Sequence, residues 1–193
     1  MSEKILIVDA MNAFIRNYVM NPSLAADGAP IGGTKGFLMS LQKMSREINP
    51  DKIVVVWDGG GGSAKRRALA KQYKDGRKPL KLNRAYSGMS ALEESENRYR
   101  QLSRTVEYLN EMPVIQLLID DVEADDVIAY VCRMPFLKGT IKIIASMDKD
   151  FYQLCDNETM VYSPIKDEFI NKKRILENFN IHPNNFALAR AID

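Results

Sequence analysis

Five acidic side chains fall within the seven residues Asp120-Asp121-Val122-Glu123-Ala124-Asp125-Asp126. The apolar stretch 114–119 before them reads as a short buried strand. After them, Val127, Ile128, Tyr130 and Val131 recur at helical spacing. The carboxylates therefore crowd a strand-to-helix turn, where unpaired N–H groups and the positive end of the helix dipole tolerate part of the charge. Five acids exceed what one helix terminus can neutralise. Like charges held close raise one another's pKa unless a cation intervenes.

The same setting recurs at three other places. Asp148 and Asp150 follow the apolar run 141–146, Asp9 follows Ile5-Leu6-Ile7-Val8, and Asp58 follows the run 53–57. In open α/β sheets the ligand crevice lies outside the carboxyl ends of the strands. Hard oxygen donors of this kind suit Mg²⁺ or Mn²⁺. Two such ions about 4 Å apart acidify a bound water and clamp the attacking and leaving oxygens of a phosphodiester. Carboxylates from four strand ends can build that site without a nucleophilic side chain. The one histidine, His182, sits between Ile181 and Pro183 near the end of the chain, which disfavours Ser–His or Cys–His catalysis.

Each acid has a plainer role when taken alone. Asp125 and Asp126 serve equally well as helix-capping acids, and Asp148 and Asp150 as turn residues. Asp9 and Asp58 alone could be ordinary strand-end polar residues. It is the joint pattern, without matching cations nearby, that points to a metal. Asp120 and Asp121 read as solvated turn acids, and Met11 and Met20 as packing residues.

The remaining elements must carry these ends. Strands are expected at 4–8, 53–57, 114–119, 141–145 and 160–162, with helices after Asp9, up to about Ile48, over about 90–111, near 172–179 and over 184–192. This alternation predicts an α/β fold with a mostly parallel central sheet and helices on both faces. The glycines 59–62 are no P-loop, because no Gly-Lys-Ser/Thr follows them.

After those glycines, Lys65, Arg66, Arg67, Lys71, Lys74, Arg77, Lys78, Lys81 and Arg84 face a single acid, Asp75, with Tyr73 and Tyr86 interleaved. A charge run is commonly just a solvated face, but nine cations against one anion read as a nucleic-acid-binding insertion, with Tyr73 or Tyr86 able to stack on an unpaired base. The net charge of the whole chain is only +2, so this footprint is local.

A chain of 193 residues, 46% hydrophobic, can bury one core and carry one insertion. Cys132 and Cys155 read as buried free thiols rather than a disulfide. No signal-like N-terminal segment and no run of about 18 apolar residues occurs. The expectation is a cytoplasmic protein with no membrane partner.

Val8-Asp9, Asp58-Gly59, Tyr73-Lys74-Asp75-Gly76-Arg77, Glu123-Ala124-Asp125-Asp126 and Asp148-Lys149-Asp150, in this order, resemble the 5′-nuclease superfamily: phage 5′–3′ exonucleases, flap endonucleases and the 5′-nuclease domain of bacterial DNA polymerase I, on a PIN-like fold. The resemblance implies two Mg²⁺ ions, with Mn²⁺ able to substitute. Asp9, Asp58, Glu123, Asp125 and Asp148 would hold the first ion, with Asp126 close by, and Asp150 would serve the second. It implies that Lys74 and Arg66 contact the scissile phosphate and that the insertion at about 63–90 is a helical arch admitting a 5′ end. The expected partner is DNA with 5′ ends or flaps, with the RNA of RNA–DNA hybrids an open alternative, in a host cytoplasm if the chain is phage-encoded. The family's further Gly-Asp-x-x-Asp-Asn cluster and helix–three-turn–helix element are not found before Asp193. The resemblance thus implies either a fragment or a second polypeptide that completes it.

Two other functions compete with a metal-dependent 5′-nuclease: a PIN-type endoribonuclease, which has no need of a long basic arch, and a non-catalytic nucleic-acid-binding module. A haloacid-dehalogenase-like phosphatase would need an Asp where Met11 stands.

Overall fold

A computed structural model describes residues 2–61 and 88–192. The basic block 65–84, including Lys74 and Arg66, lies outside the described residues. Among the described residues six strands form one sheet: β1 (Lys4–Asp9), β2 (Lys52–Trp57), β3 (Ile115–Leu118), β4 (Ile141–Ala145), β5 (Thr159–Ser163) and β6 (Glu168–Ile170). Their order is β3-β2-β1-β4-β5-β6; all neighbours pair parallel except β5 and β6. Ile7 sits at the centre, opposite Val54 on one side and Ile144 on the other. The inner strands are continuous runs of branched apolar residues because both faces of the sheet are covered.

Along each strand, alternate side chains go to opposite faces. Leu6, Val8, Val55, Trp57, Ile143 and Ala145 pack with residues of α1 (Ala10–Met20), α2 (Gly32–Ile48) and α3 (Ala91–Asn110). Ile5, Ile7, Val54, Val56 and Ile144 pack with α4 (Ala124–Cys132), α5 (Lys172–Phe179) and α6 (Phe186–Ile192). Helix α3 starts where the sequence indicates: Ser90 Oγ accepts from the Glu93 N–H and Glu93 returns a carboxylate to the Ser90 N–H, a reciprocal capping box.

Two expectations need correction. The stretch 114–119 is not a buried strand. β3 lies at the edge of the sheet with only β2 beside it, and Ile115, Leu118 and Ile119 are each about half exposed. The segment after β4 forms a 3₁₀ helix, Lys149–Leu154. Met20 is exposed, whereas Met11 packs against the core. Strand β6, three residues long, was not anticipated.

The joint between α2 and α3 is polar and buried. The residue preceding α2, Ile31, offers no capping side chain. Gln101 on α3 takes that role: its Oε1 accepts from the N–H groups of Gly33 at 2.7 Å and Thr34 at 3.2 Å. Its Nε2 donates to the Pro30 carbonyl at 2.8 Å and to Asn97 Oδ1 at 2.6 Å. Replacing Gln101 with Leu keeps the volume and strands two N–H groups and Asn97 Oδ1, while the Pro30 carbonyl keeps its bond from Asn97 Nδ2, at a cost of about 2–4 kcal/mol. Thermal unfolding of Gln101→Leu should show a midpoint lower by roughly 4–12 °C; an unchanged midpoint would contradict the role of this network.

Candidate active site

The strand order reverses between β1 and β4: β2 and β3 lie on one side of β1, β4 and β5 on the other. Such a reversal opens a crevice at the carboxyl ends of the strands. Asp9 stands there as the last residue of β1 and the N-cap of α1. Its Oδ1 accepts from the Asn12 N–H at 3.2 Å, and its Oδ2 accepts from Ser146 Oγ at 2.9 Å. Ser146, buried just past β4, also accepts from the Asp148 N–H at 3.1 Å. One hydroxyl thus ties the end of β1 to the turn that carries Asp148. Asp148 in turn caps the following 3₁₀ helix, its Oδ1 accepting from the Asp150 N–H at 2.9 Å.

Asp58 follows β2 and reaches across the chain. Its Oδ1 accepts from the Ala124 N–H at 2.8 Å, supplying α4 with a cap that its own N-cap residue, Glu123, does not make with its side chain. Glu123 is buried. Two further bonds join these loops: the Gly59 N–H donates to the Val122 carbonyl and the Asp121 N–H to the Gly60 carbonyl, each at 3.0 Å. Only glycine fits at position 59, since a Cβ there would lie 1.8 Å from the Ile119 carbonyl oxygen. Asp120 and Asp121 are exposed, as expected of turn acids.

Asp125, Asp126, Asp148 and Asp150 line one cavity of about 360 Å³, together with Arg133. Asp125 Oδ1 accepts from the Asp126 N–H at 2.9 Å. Asp9, Asp58 and Glu123 do not line this cavity. Asp9 is coupled to it electrostatically, because the charges of Asp58 and Asp148 both reach it. Burial pushes the Asp9 carboxyl up to about 6, against the bonds from Ser146 and Asn12 that favour its charged form. The donors are carboxylate oxygens, hard ligands that fit Mg²⁺ or Mn²⁺, and a cation would relieve the raised pKa of Asp9. As they stand, no three His, Cys, Asp or Glu side chains among the described residues are placed to hold a metal ion.

Sequence reasoning missed Ser146 at this end and Arg133 at the far end of α4. Ser146 looked like the last residue of a strand; its one signal is a small hydroxyl directly before an acidic turn. Arg133 carried no signal beyond its position ten residues after Glu123.

The model of the 5′–3′ exonuclease N-terminal resolvase-like domain matches residues 4–180. The chain belongs to this family. Among relatives of this resolvase-like domain, a 5′–3′ exonuclease of Aquifex aeolicus is 29% identical over 182 residues, which cover 92% of this chain and 56% of the relative. Flap endonuclease Xni of a Shewanella species is 28% identical over 183 residues, covering 95% and 63%. The chain therefore spans a little over half the length of these relatives. The fold is similar to that of the bacteriophage T5 flap endonuclease, solved as a pseudo-enzyme-product complex with DNA and metal ions: TM-score 0.75, 18% identity, 98% of this chain and 66% of that one.

The raised pKa of Asp9 has a consequence for stability. Its carboxyl titrates at 3.8 ordinarily and at about 6 when folded, so the folded state holds the proton more tightly. The stability this contributes is present at low pH and is lost as pH rises from about 4 to about 6. Asn cannot ionise and avoids that loss. In EDTA, urea unfolding should show Asp9→Asn gaining on the wild type between pH 4 and pH 7.5, by at most about 3 kcal/mol; a difference that does not change with pH would show that Asp9 is not held in this environment.

Proposed function

We propose that the chain is a metal-dependent 5′–3′ exonuclease and flap endonuclease that hydrolyses phosphodiester bonds in DNA, with the RNA strand of RNA–DNA hybrids as a further substrate. The observation that carries this reading is the gathering of acidic side chains at the carboxyl ends of neighbouring parallel strands, on the fold of a 5′–3′ exonuclease family. A similar fold bound to DNA and metal ions in the T5 flap endonuclease supports it.

Two Mg²⁺ ions, or Mn²⁺ in their place, fit the donor set. Asp9, Asp58, Glu123, Asp125 and Asp148 would hold one, with Asp126 close by, and Asp150 would serve the other. When bound, such ions acidify a water and neutralise charge on the phosphoryl group. The chain's own part is to orient the acids beforehand. Ser146 holds Asp9, the Ala124 N–H holds Asp58, and the Asp150 N–H holds Asp148. Each of these acids keeps lone pairs for a further partner. Arg66 and Lys74 are assigned to the scissile phosphate. Lys65, Arg67, Lys71, Tyr73, Arg77, Lys78, Lys81 and Arg84 are assigned to the nucleic-acid track along the insertion at about 63–90. Residues 1–193 act as one catalytic domain. No described helix is long and apolar enough to cross a membrane. Two buried free cysteines suit the reducing cytoplasm, where we place the protein.

One observation favours a second reading, a nucleic-acid-binding module that does not cut: the described acids, as they stand, form no three-ligand group. Labelled 5′-flap DNA, RNA–DNA hybrid and single-stranded RNA, each with Mg²⁺, Mn²⁺ or EDTA, separate the possibilities. Flap cutting is expected with either metal and not in EDTA. Asp148→Asn should cut about 100-fold more slowly or worse while binding the flap in EDTA as the wild type does. Normal cutting by that variant would remove Asp148 from the site, and wild-type binding without cutting in any metal would establish the binding module.

A further inference from the structure

The 3₁₀ helix Lys149–Leu154 sorts its side chains into rows, because in such a helix residues three apart eclipse one another. Phe151 and Leu154 pack with the core. Asp150 and Gln153 form a second row, and both line the acid-lined cavity. Lys149 and Tyr152 form the third, and both meet one aromatic ring, that of Phe179. The Lys149 ammonium stands over this ring at 5.6 Å from its centre, and the Tyr152 ring lies 6.0 Å from it.

Phe179 is held by its own neighbours. It is the last residue of α5, and the chain then turns through Asn180 in the left-handed conformation, φ 53°. The Phe186 ring, at the start of α6, meets Phe179 nearly edge-on, at 5.3 Å and 82°, and packs against Tyr152 at 5.2 Å. Edge-to-face contacts of this kind suit the quadrupole of an aromatic ring. Phe179 is still 37% exposed, which leaves the ring open to a cation.

Lys149 has an evident alternative partner. Asp148 and Asp150 flank it, each with its Cα about 3.8 Å away, and a flexible four-carbon stem can carry the ammonium to either carboxylate. Yet among the described residues Lys149 forms no ion pair. An ammonium on these acids would occupy lone pairs that a divalent ion needs and would set a like charge beside that ion. A cation–π contact at an exposed site favours the position over the ring by about two- to fivefold.

We propose that Phe179 is a positioning residue for the acidic turn: its ring holds the Lys149 ammonium away from Asp148 and Asp150 and so leaves both carboxylates open to a divalent cation. The inference rests on the metal-dependent nuclease reading above. Phe179 acts through Lys149 and touches neither metal nor substrate.

The test is Mn²⁺ binding to the DNA-free protein, read from the EPR signal of the free ion. Phe179→Leu keeps an apolar side chain against Tyr152 and Phe186 and removes the ring; it should bind Mn²⁺ about threefold more weakly. Phe179→Trp keeps an aromatic face and should bind as the wild type does. In a Lys149→Met background Phe179→Leu should change nothing, because no ammonium is left to release. Equal weakening in both backgrounds would make Phe179 a packing residue alone and overturn the proposal. Wild-type affinity in Phe179→Leu overturns it as well, and if the wild type binds Mn²⁺ the nuclease reading survives that failure. A wild type that binds no Mn²⁺ at millimolar concentration sinks both readings. The contact is also checked without any variant. The ε-methylene protons of Lys149 should show an upfield ring-current shift in the NMR spectrum of the wild type, and its absence overturns the proposal whether or not Phe179→Leu folds.

Discussion

Like charges at one end of a parallel sheet repel, and what this fold does about that repulsion determines much of its architecture. Each of three acids is tied down by a donated hydrogen bond before any cation is considered. Asp9 caps α1 and takes a second bond from Ser146, Asp58 caps α4 from 66 residues away in sequence, and Asp148 caps the 3₁₀ helix that follows β4. A helix N-terminus is the one common backbone feature that welcomes negative charge. Using three of them in one place lets the acids stand near one another in a folded chain. Asp9, the most enclosed of the three, is pushed up chiefly by burial, with the charges of Asp58 and Asp148 adding a smaller part. Asp58 and Asp148 are exposed, and water screens them.

The supports around these caps are correspondingly specific. Ser146 bridges two strands at the point where the strand order reverses, so shifting β4 against β1 would break the tie between Asp9 and the Asp148 turn. Gly59 admits the close approach of the 119–122 loop, which brings α4's N-terminus to Asp58. On the opposite face Gln101 caps α2 from α3 and fixes the two helices that pack under β1 and β2. The reactive end is built from loops, but the loops are welded to the sheet at defined atoms. That is how a mobile class of segment comes to hold acids in register.

Much of this was legible in the residues. Runs such as Ile5-Leu6-Ile7-Val8 can satisfy only a strand covered on both faces, and an acid directly after each run falls at a strand end by necessity. The parts that were not legible depend on neighbours distant in sequence. Periodicity cannot tell an edge strand from an inner one, so the exposure of β3 was invisible. A three-residue strand such as β6 carries too little pattern to register. Nothing near Asp58 announces that its partner is the Ala124 N–H. Ser146 reads as strand termination until β1 is placed beside it. The capping and ligand roles of the acids, which compete when each is read alone, turn out to be compatible, since a carboxylate that accepts one N–H retains lone pairs.

The most direct measurement is the carboxyl titration of Asp9 by carbon NMR, with EDTA and then with Mg²⁺. In EDTA its midpoint should lie at about 6, and Mg²⁺ should move it down, because a bound cation favours the charged form. A midpoint near 3.8 in EDTA would mean that Asp9 is not enclosed at the end of β1, and one that Mg²⁺ leaves in place would mean that no ion reaches it.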